Sequence, residues 1–119
     1  MNERRIKPRW QINQGAELTV ENGIKPIPCV VEDLSFGGMR ISLRRKLFDE
    51  VFSNFKLALA DNFELDLNAH VAWSEEREER NIYGLSFELA GEAIKSRIDQ
   101  YLKKNFPDLL IKHLWKDLD

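Results

Sequence analysis

Apolar residues return at every second position along most of this chain and at every third or fourth position near its end. Trp10, Ile12, Ala16, Leu18 and Val20 keep the shorter period over residues 10–20, with a break around Asn13-Gln14-Gly15. Successive side chains of a strand point to opposite faces, so this alternation predicts a strand with one core face and one wet face. Glu21-Asn22-Gly23 then carries a tight-hairpin signal. Residues 26–34 read as the next strand, and the Ser35-Phe36-Gly37-Gly38 turn leads into a third with Met39, Ile41 and Leu43 on one face. Residues 44–54 fit a short helix or a loop. Phe55, Leu57 and Leu59 alternate before a turn at Ala60-Asp61-Asn62.

The longest alternation covers residues 63–73. Phe63, Leu65, Leu67, Ala69, Val71 and Trp73 share one face, while Glu64, Asp66, Asn68 and His70 share the other. Residues 75–81 read as a charged loop, and residues 82–89 as a last strand with Tyr83, Leu85, Phe87 and Leu89 in phase. The period then changes. Ile94, Ile98, Tyr101 and Leu102 recur at helical spacing between Gly91 and Asn105-Phe106-Pro107, and Leu110, Ile111, Leu114, Trp115 and Leu118 form a second apolar stripe. The predicted fold is mainly β, a six-stranded antiparallel β-barrel over residues 10–89. A C-terminal helix spans 90–104 and an extra amphipathic helix 107–118. With an irregular arm at 1–9, residues 1–119 form one domain.

Composition narrows the function more than the fold. Of 119 residues, 43% are hydrophobic and 32% charged, which is ordinary for a globular domain. A net charge of -2 argues against a protein that coats polymeric nucleic acid, since such domains carry a basic excess. Positive charge is instead local: Arg4, Arg5, Lys7 and Arg9 face only Glu3 within the first ten residues.

Absent patterns exclude whole classes of chemistry. The single cysteine, Cys29, cannot form an internal disulfide, and its apolar surroundings from Ile27 to Val31 predict a buried structural thiol. No apolar stretch approaches the roughly 20 residues that span a bilayer. The charged N-terminus leads into no hydrophobic region, so no signal peptide is expected and the chain reads as cytoplasmic. His70 and His113 have no cysteine or acid at metal-ligand spacing. Glu75, Glu76, Glu78 and Glu79 form a solvated cluster, and no nucleophile-histidine-acid set or phosphate-binding glycine loop occurs. The chain offers no catalytic residue, no metal ligand and no cofactor motif, so no enzyme is expected.

Two short segments carry the chemistry that remains. Arg4, Arg5 and Arg9 cluster three guanidiniums near the N-terminus, with Pro8 holding the segment extended. A guanidinium grips phosphate with two parallel hydrogen bonds and stacks on flat rings. Asp33-Leu34-Ser35-Phe36-Gly37-Gly38 places an acid, a hydroxyl and two glycines in a turn between strands, offering backbone amides and short polar groups. Together they resemble the RxxxR and (D/N)xSxxG motifs of the PilZ family, here Arg5, Arg9, Asp33, Ser35 and Gly38. Tyr83-Gly84-Leu85-Ser86-Phe87 is also similar to that family's last-strand GxxF signature, and the likeness extends over about residues 4–104.

That resemblance implies a stand-alone bacterial receptor for cyclic di-GMP, which relays binding to an effector protein. Arg5 and Arg9 would bind phosphate and guanine, Asp33 and Ser35 would bond the base and orient the arginines, and Gly37 with Gly38 would allow close approach. Arg4 would contact a second nucleotide, as in family members that hold two stacked ligands. Trp73 is poised between base stacking and core packing, since its phase points inward while a bulge near the strand end would re-aim it. Trp10 reads as core. Two other functions compete: a PilZ-like module that binds only protein, and a small barrel that binds RNA or single-stranded DNA through the basic arm.

Overall fold

A computed structural model describes residues 9–20, 25–47, 52, 54–59, 63–88 and 91–108. Seven strands make one antiparallel sheet: β1 (Trp10–Val20), β2 (Ile27–Leu34), β3 (Gly38–Leu43), β4 (Phe55–Leu59), β5 (Phe63–Leu67), β6 (Ala69–Arg77) and β7 (Arg80–Phe87). The order across the sheet is β5-β4-β1-β2-β3-β7-β6. One helix follows, α1 (Glu92–Asn105).

The alternation read from the sequence sets the faces. Ile27, Cys29 and Val31 of β2, Met39, Ile41 and Leu43 of β3, and Phe55, Leu57 and Leu59 of β4 are all buried in one continuous core. Burying each such side chain stabilises the fold by about 1.5 to 3 kcal/mol relative to leaving it in water. The helix closes one side of this core with Ile98, Tyr101 and Leu102. Tyr101 stacks on Phe63 of β5 with ring centroids 4.6 Å apart. Arg97 also lies over that phenyl ring and donates to the Glu64 carbonyl. Trp10 is buried, as its phase predicts, and meets Phe36 edge-on at 5.3 Å. Cys29 is buried too, and desolvation pushes its thiol up to about 11, so the thiolate is scarce at neutral pH.

The expected six-stranded barrel needs correction in strand number and closure. Residues 63–73 are not one strand: Leu67 pairs with Phe55 of β4, whereas Ala69 pairs with Phe87 of β7. Asn68 is the single residue at which the chain changes partner, and its carbonyl accepts the Glu88 N–H at 2.8 Å. Leu67 and Ala69 are both buried, so the alternation runs straight through the exchange and conceals it. The sheet curls until its two ends share this corner, but no ladder joins β5 to β6 among the described residues.

The charged loop expected at 75–81 is also replaced. β6 continues through Glu75, Glu76 and Arg77, only Glu78 and Glu79 turn, and β7 begins at Arg80 opposite Arg77. Both faces of this hairpin tip meet water, so backbone pairing persists where the hydrophobic signal has ended. Of residues 44–54, Arg44 to Leu47 follow β3 as an irregular segment, and the buried Phe52 packs edge-on against Phe55. The turns expected at 21–23 and 60–62, the arm at 1–8 and the extra helix beyond residue 108 lie outside the described residues.

Candidate functional site

Three local irregularities surround one end of strands β1, β2, β3, β7 and β6. Between the pairs Gln11↔Asp33 and Gln14↔Val31, β1 carries one more residue than β2, and Asn13 takes φ 45°. That left-handed conformation is one asparagine adopts more readily than most side chains. β2 carries an extra residue against β3, Glu32, between Val31↔Ile41 and Asp33↔Arg40. β6 carries another against β7, Ala72, between Val71↔Leu85 and Trp73↔Gly84. A bulge bends its strand and re-aims the side chains beyond it.

For Trp73 the effect is large. Without the extra residue its phase would continue the buried row of Leu67 and Ala69; with it, the indole turns outward and stays 42% exposed. It lies flat over Gly84, where an added Cβ would stand 2.2 Å from Nε1. Glycine at 84 is therefore a requirement of the tryptophan's position.

The turn after β2 is held from within. The Ser35 N–H donates to the Gly38 carbonyl at 2.8 Å, and the Ser35 hydroxyl donates to the same oxygen at 3.2 Å. That hydroxyl also accepts the Gly37 N–H at 3.2 Å. The Phe87 N–H then donates to the Gly37 carbonyl at 2.8 Å, tying the turn to β7. No described glycine has positive φ, so backbone freedom does not explain Gly38. Close approach does: a Cβ there would meet the Leu85 carbonyl oxygen at 2.2 Å.

Beside the turn, Asp33 is buried to 3% exposure. Desolvation raises its carboxyl above the ordinary value, opposed by the positive charges of Arg40 and Arg9. Arg40 Nε lies 3.0 Å from Glu32 Oε1 and 3.5 Å from Asp33 Oδ2, close enough for charge attraction but aligned as a hydrogen bond with neither. The Arg40 side chain is 30% exposed, although its Nε is buried. These groups border a cleft of about 650 Å³.

Six of the eight residues singled out from the sequence border this one cleft: Arg9, Asp33, Ser35, Gly37, Gly38 and Trp73. Arg4 and Arg5 lie outside the described residues. Sequence reasoning missed Arg40, although its outward phase between the buried Met39 and Ile41 was a usable signal. Gly84 was noticed only inside a motif, and nothing in the chain says that an indole lies on it. No group of three or more histidine, cysteine or carboxylate side chains among the described residues could hold a metal ion. No helix among them is long and apolar enough to cross a membrane.

Comparison with known families identifies the fold. The PilZ domain model matches residues 3–104. The chain belongs to the PilZ family. Several solved PilZ-containing structures share its fold. Escherichia coli YcgR in complex with c-di-GMP superposes with a TM-score of 0.67 at 14% identity, over 98% of this chain and 51% of that one. The K. pneumonia MrkH–c-di-GMP complex gives 0.65 at 20% identity, over 98% and 56%. The isolated PilZ domain of E. coli YcgR with c-di-GMP gives 0.64 at 16% identity, over 92% and 99%. This PilZ chain thus spans about half the length of the YcgR and MrkH chains. No curated protein matches it.

Proposed function

We propose that this PilZ protein is a receptor for cyclic di-GMP, with Arg9, Asp33, Ser35, Gly37, Gly38 and Trp73 forming its ligand cleft and Arg4 and Arg5 completing it. The observation that carries the reading is the convergence of a buried carboxylate, guanidiniums and an outward indole on one cleft. Each matches a part of the ligand. The two phosphodiesters call for arginine forks, and guanine O6 and N7 form arginine's natural bidentate target. The guanine Watson–Crick edge carries N–H donors, for which the Asp33 carboxylate is the acceptor. A base stacking on Trp73 gains about 1 to 3 kcal/mol, and the flat indole over Gly84 offers it an open face.

The carboxylate is also primed electrostatically. Burial makes Asp33 costly to ionise in the free protein, and donors delivered by a ligand would favour its ionised, accepting form. Relay to an effector protein follows as a second step, because a binding site without chemistry acts only through the surface it changes. Charge capture by the arginine arm is the natural switch, with the folded sheet as its fixed platform.

Isothermal titration with cyclic di-GMP, run beside Arg5→Ala and Asp33→Ala, tests the reading. Saturable binding that disappears in both variants establishes it, and a stoichiometry of two ligands per chain assigns Arg4 to the second copy. Absence of heat at high ligand concentration, with no shift in melting temperature, overturns it in favour of a module that binds only protein.

A further inference from the structure

The outward faces of β2, β3 and β7 carry a second feature beyond the cleft. Val30, Ser42 and Ile82 stand side by side in register across these strands. Beyond them the outward positions become Pro28 on β2, Arg44 just past β3, and Arg80 at the start of β7. Ser42 is only 1% exposed because Arg80 lies over it, donating from Nε at 3.3 Å and from Nη2 at 3.2 Å to its hydroxyl. One edge of the Arg80 fork is thereby held in place. The chain leaving β3 is pinned as well, by the Asn81 side chain donating to the Arg44 carbonyl at 3.2 Å.

Arg44, Arg45 and Arg80 border a groove of about 330 Å³ whose floor includes Pro28 and Val30. Their grouping around one groove sets them apart. Arg40, Lys46, Arg77, Lys95 and Lys103 each face a carboxylate within ion-pair distance. None of the three groove arginines does so among the described residues. Guanidiniums with no carboxylate partner among the described residues, set around an apolar floor, complement carboxylates interspersed with aliphatic side chains. A phosphate polymer would gain nothing from Pro28 and Val30. Glu78 and Glu79 border the adjoining hollow together with Arg44 and Arg80 and would repel any anion there, which confines an acidic segment to the Pro28 side of the groove.

We propose that this groove docks an acidic segment of a partner protein whose carboxylates alternate with aliphatic residues. Arg44 and Arg45 take carboxylates, the braced Arg80 fork takes another, and an aliphatic side chain covers Pro28 and Val30. The groove and the nucleotide cleft occupy opposite ends of the same three strands, so the proposal does not depend on the cleft's ligand.

The test measures fluorescence anisotropy with a labelled peptide of alternating Glu and Leu. Oligo-glutamate, oligothymidylate and phosphatidylglycerol vesicles serve as competitors, against the wild type and an Arg44→Ala/Arg45→Ala double variant. Both side chains are exposed, and neither makes a side-chain hydrogen bond or ion pair among the described residues, so the melting temperature should hold. Expected is saturable binding of the Glu-Leu peptide, weakened about tenfold or more in the double variant, with cyclic di-GMP titration unaltered. Four results would overturn the proposal: no saturable binding, equal binding of oligo-glutamate, displacement by oligothymidylate or vesicles, or unchanged affinity in the variant. Displacement by oligothymidylate would mark a nucleic-acid surface, and displacement by vesicles a membrane-facing one.

Discussion

The two ends of the sheet are built on different terms. Toward β4 and β5 every register is unbroken, from Ala16↔Leu59 to Val20↔Phe55 and from Phe55↔Leu67 to Leu59↔Phe63. Side chains there alternate between core and water, and α1 seals the interior with Tyr101 against Phe63. Around the cleft, by contrast, three ladders each gain a residue, and Asp33 is taken out of water beside a second carboxylate. Regular pairing maximises burial. Irregular pairing gives some of that up to aim polar groups and an indole at a common space, the cleft proposed for the ligand.

Four measurements would break or sharpen that contrast. Leu65 is fully buried at the regular end, so Leu65→Ala should cost about 2 to 5 kcal/mol in urea denaturation. The folded fraction should still bind cyclic di-GMP with unaltered affinity; a matching loss of affinity would erase the distinction between the two ends. Gly38→Ala forces β3 away from the Leu85 carbonyl, and overpacking of this kind costs about 1 to 3 kcal/mol. Here nucleotide binding should fall together with stability, and a variant that binds normally would show that the turn geometry is dispensable.

Trp73→Ala should invert the pattern seen for Leu65. Ligand affinity should drop by about 1 to 3 kcal/mol, while urea denaturation shifts little because the side chain is half exposed. Unchanged affinity would remove the indole from the site.

The smallest effect concerns pH. Folding raises the Asp33 pKa, so its protonated form is favoured in the folded state. The stability it contributes is complete below the ordinary carboxylate value and is lost as pH rises through the raised one. Asp33→Asn should therefore melt slightly higher than the wild type at neutral pH, with the advantage fading in acid. Ligand affinity of the wild type should run the other way, weakening as acid protonates the acceptor. A melting difference independent of pH would deny Asp33 its electrostatic cost.

Much of this was legible in the sequence, for physical reasons that also explain what was not. Strands such as β3 and β4 have one dry face, and α1 has one apolar stripe, so Met39-Ile41-Leu43 and Ile98-Tyr101-Leu102 announced their own burial. Partner exchange at Asn68 leaves alternation intact and is invisible to periodicity. The hairpin tip at Glu78-Glu79 has no dry face at all, so only its backbone ladder reveals it. At the cleft, the motif residues Asp33, Ser35, Gly37 and Gly38 were readable because a turn keeps them adjacent in the chain. Arg40 and Gly84 were harder, since their importance comes from neighbours on other strands. Trp73 could have faced either way until the extra residue at Ala72 was seen.

The tip of the β6–β7 hairpin has one more consequence. β6 ends the sheet, so one side of its backbone has no strand beside it among the described residues. Such a row of open amides and carbonyls is a template on which another chain can polymerise. Over its outer half β6 shows Glu75, Glu76 and Arg77, all exposed, with Lys46 and Arg77 neutralising part of the charge while keeping it hydrated. A second copy aligning there in antiparallel fashion about Glu76 would set that carboxylate against its own copy and would have to strip the water from the whole charged row. The charged tip that contributes nothing to the core thus serves as a guard against edge-to-edge pairing.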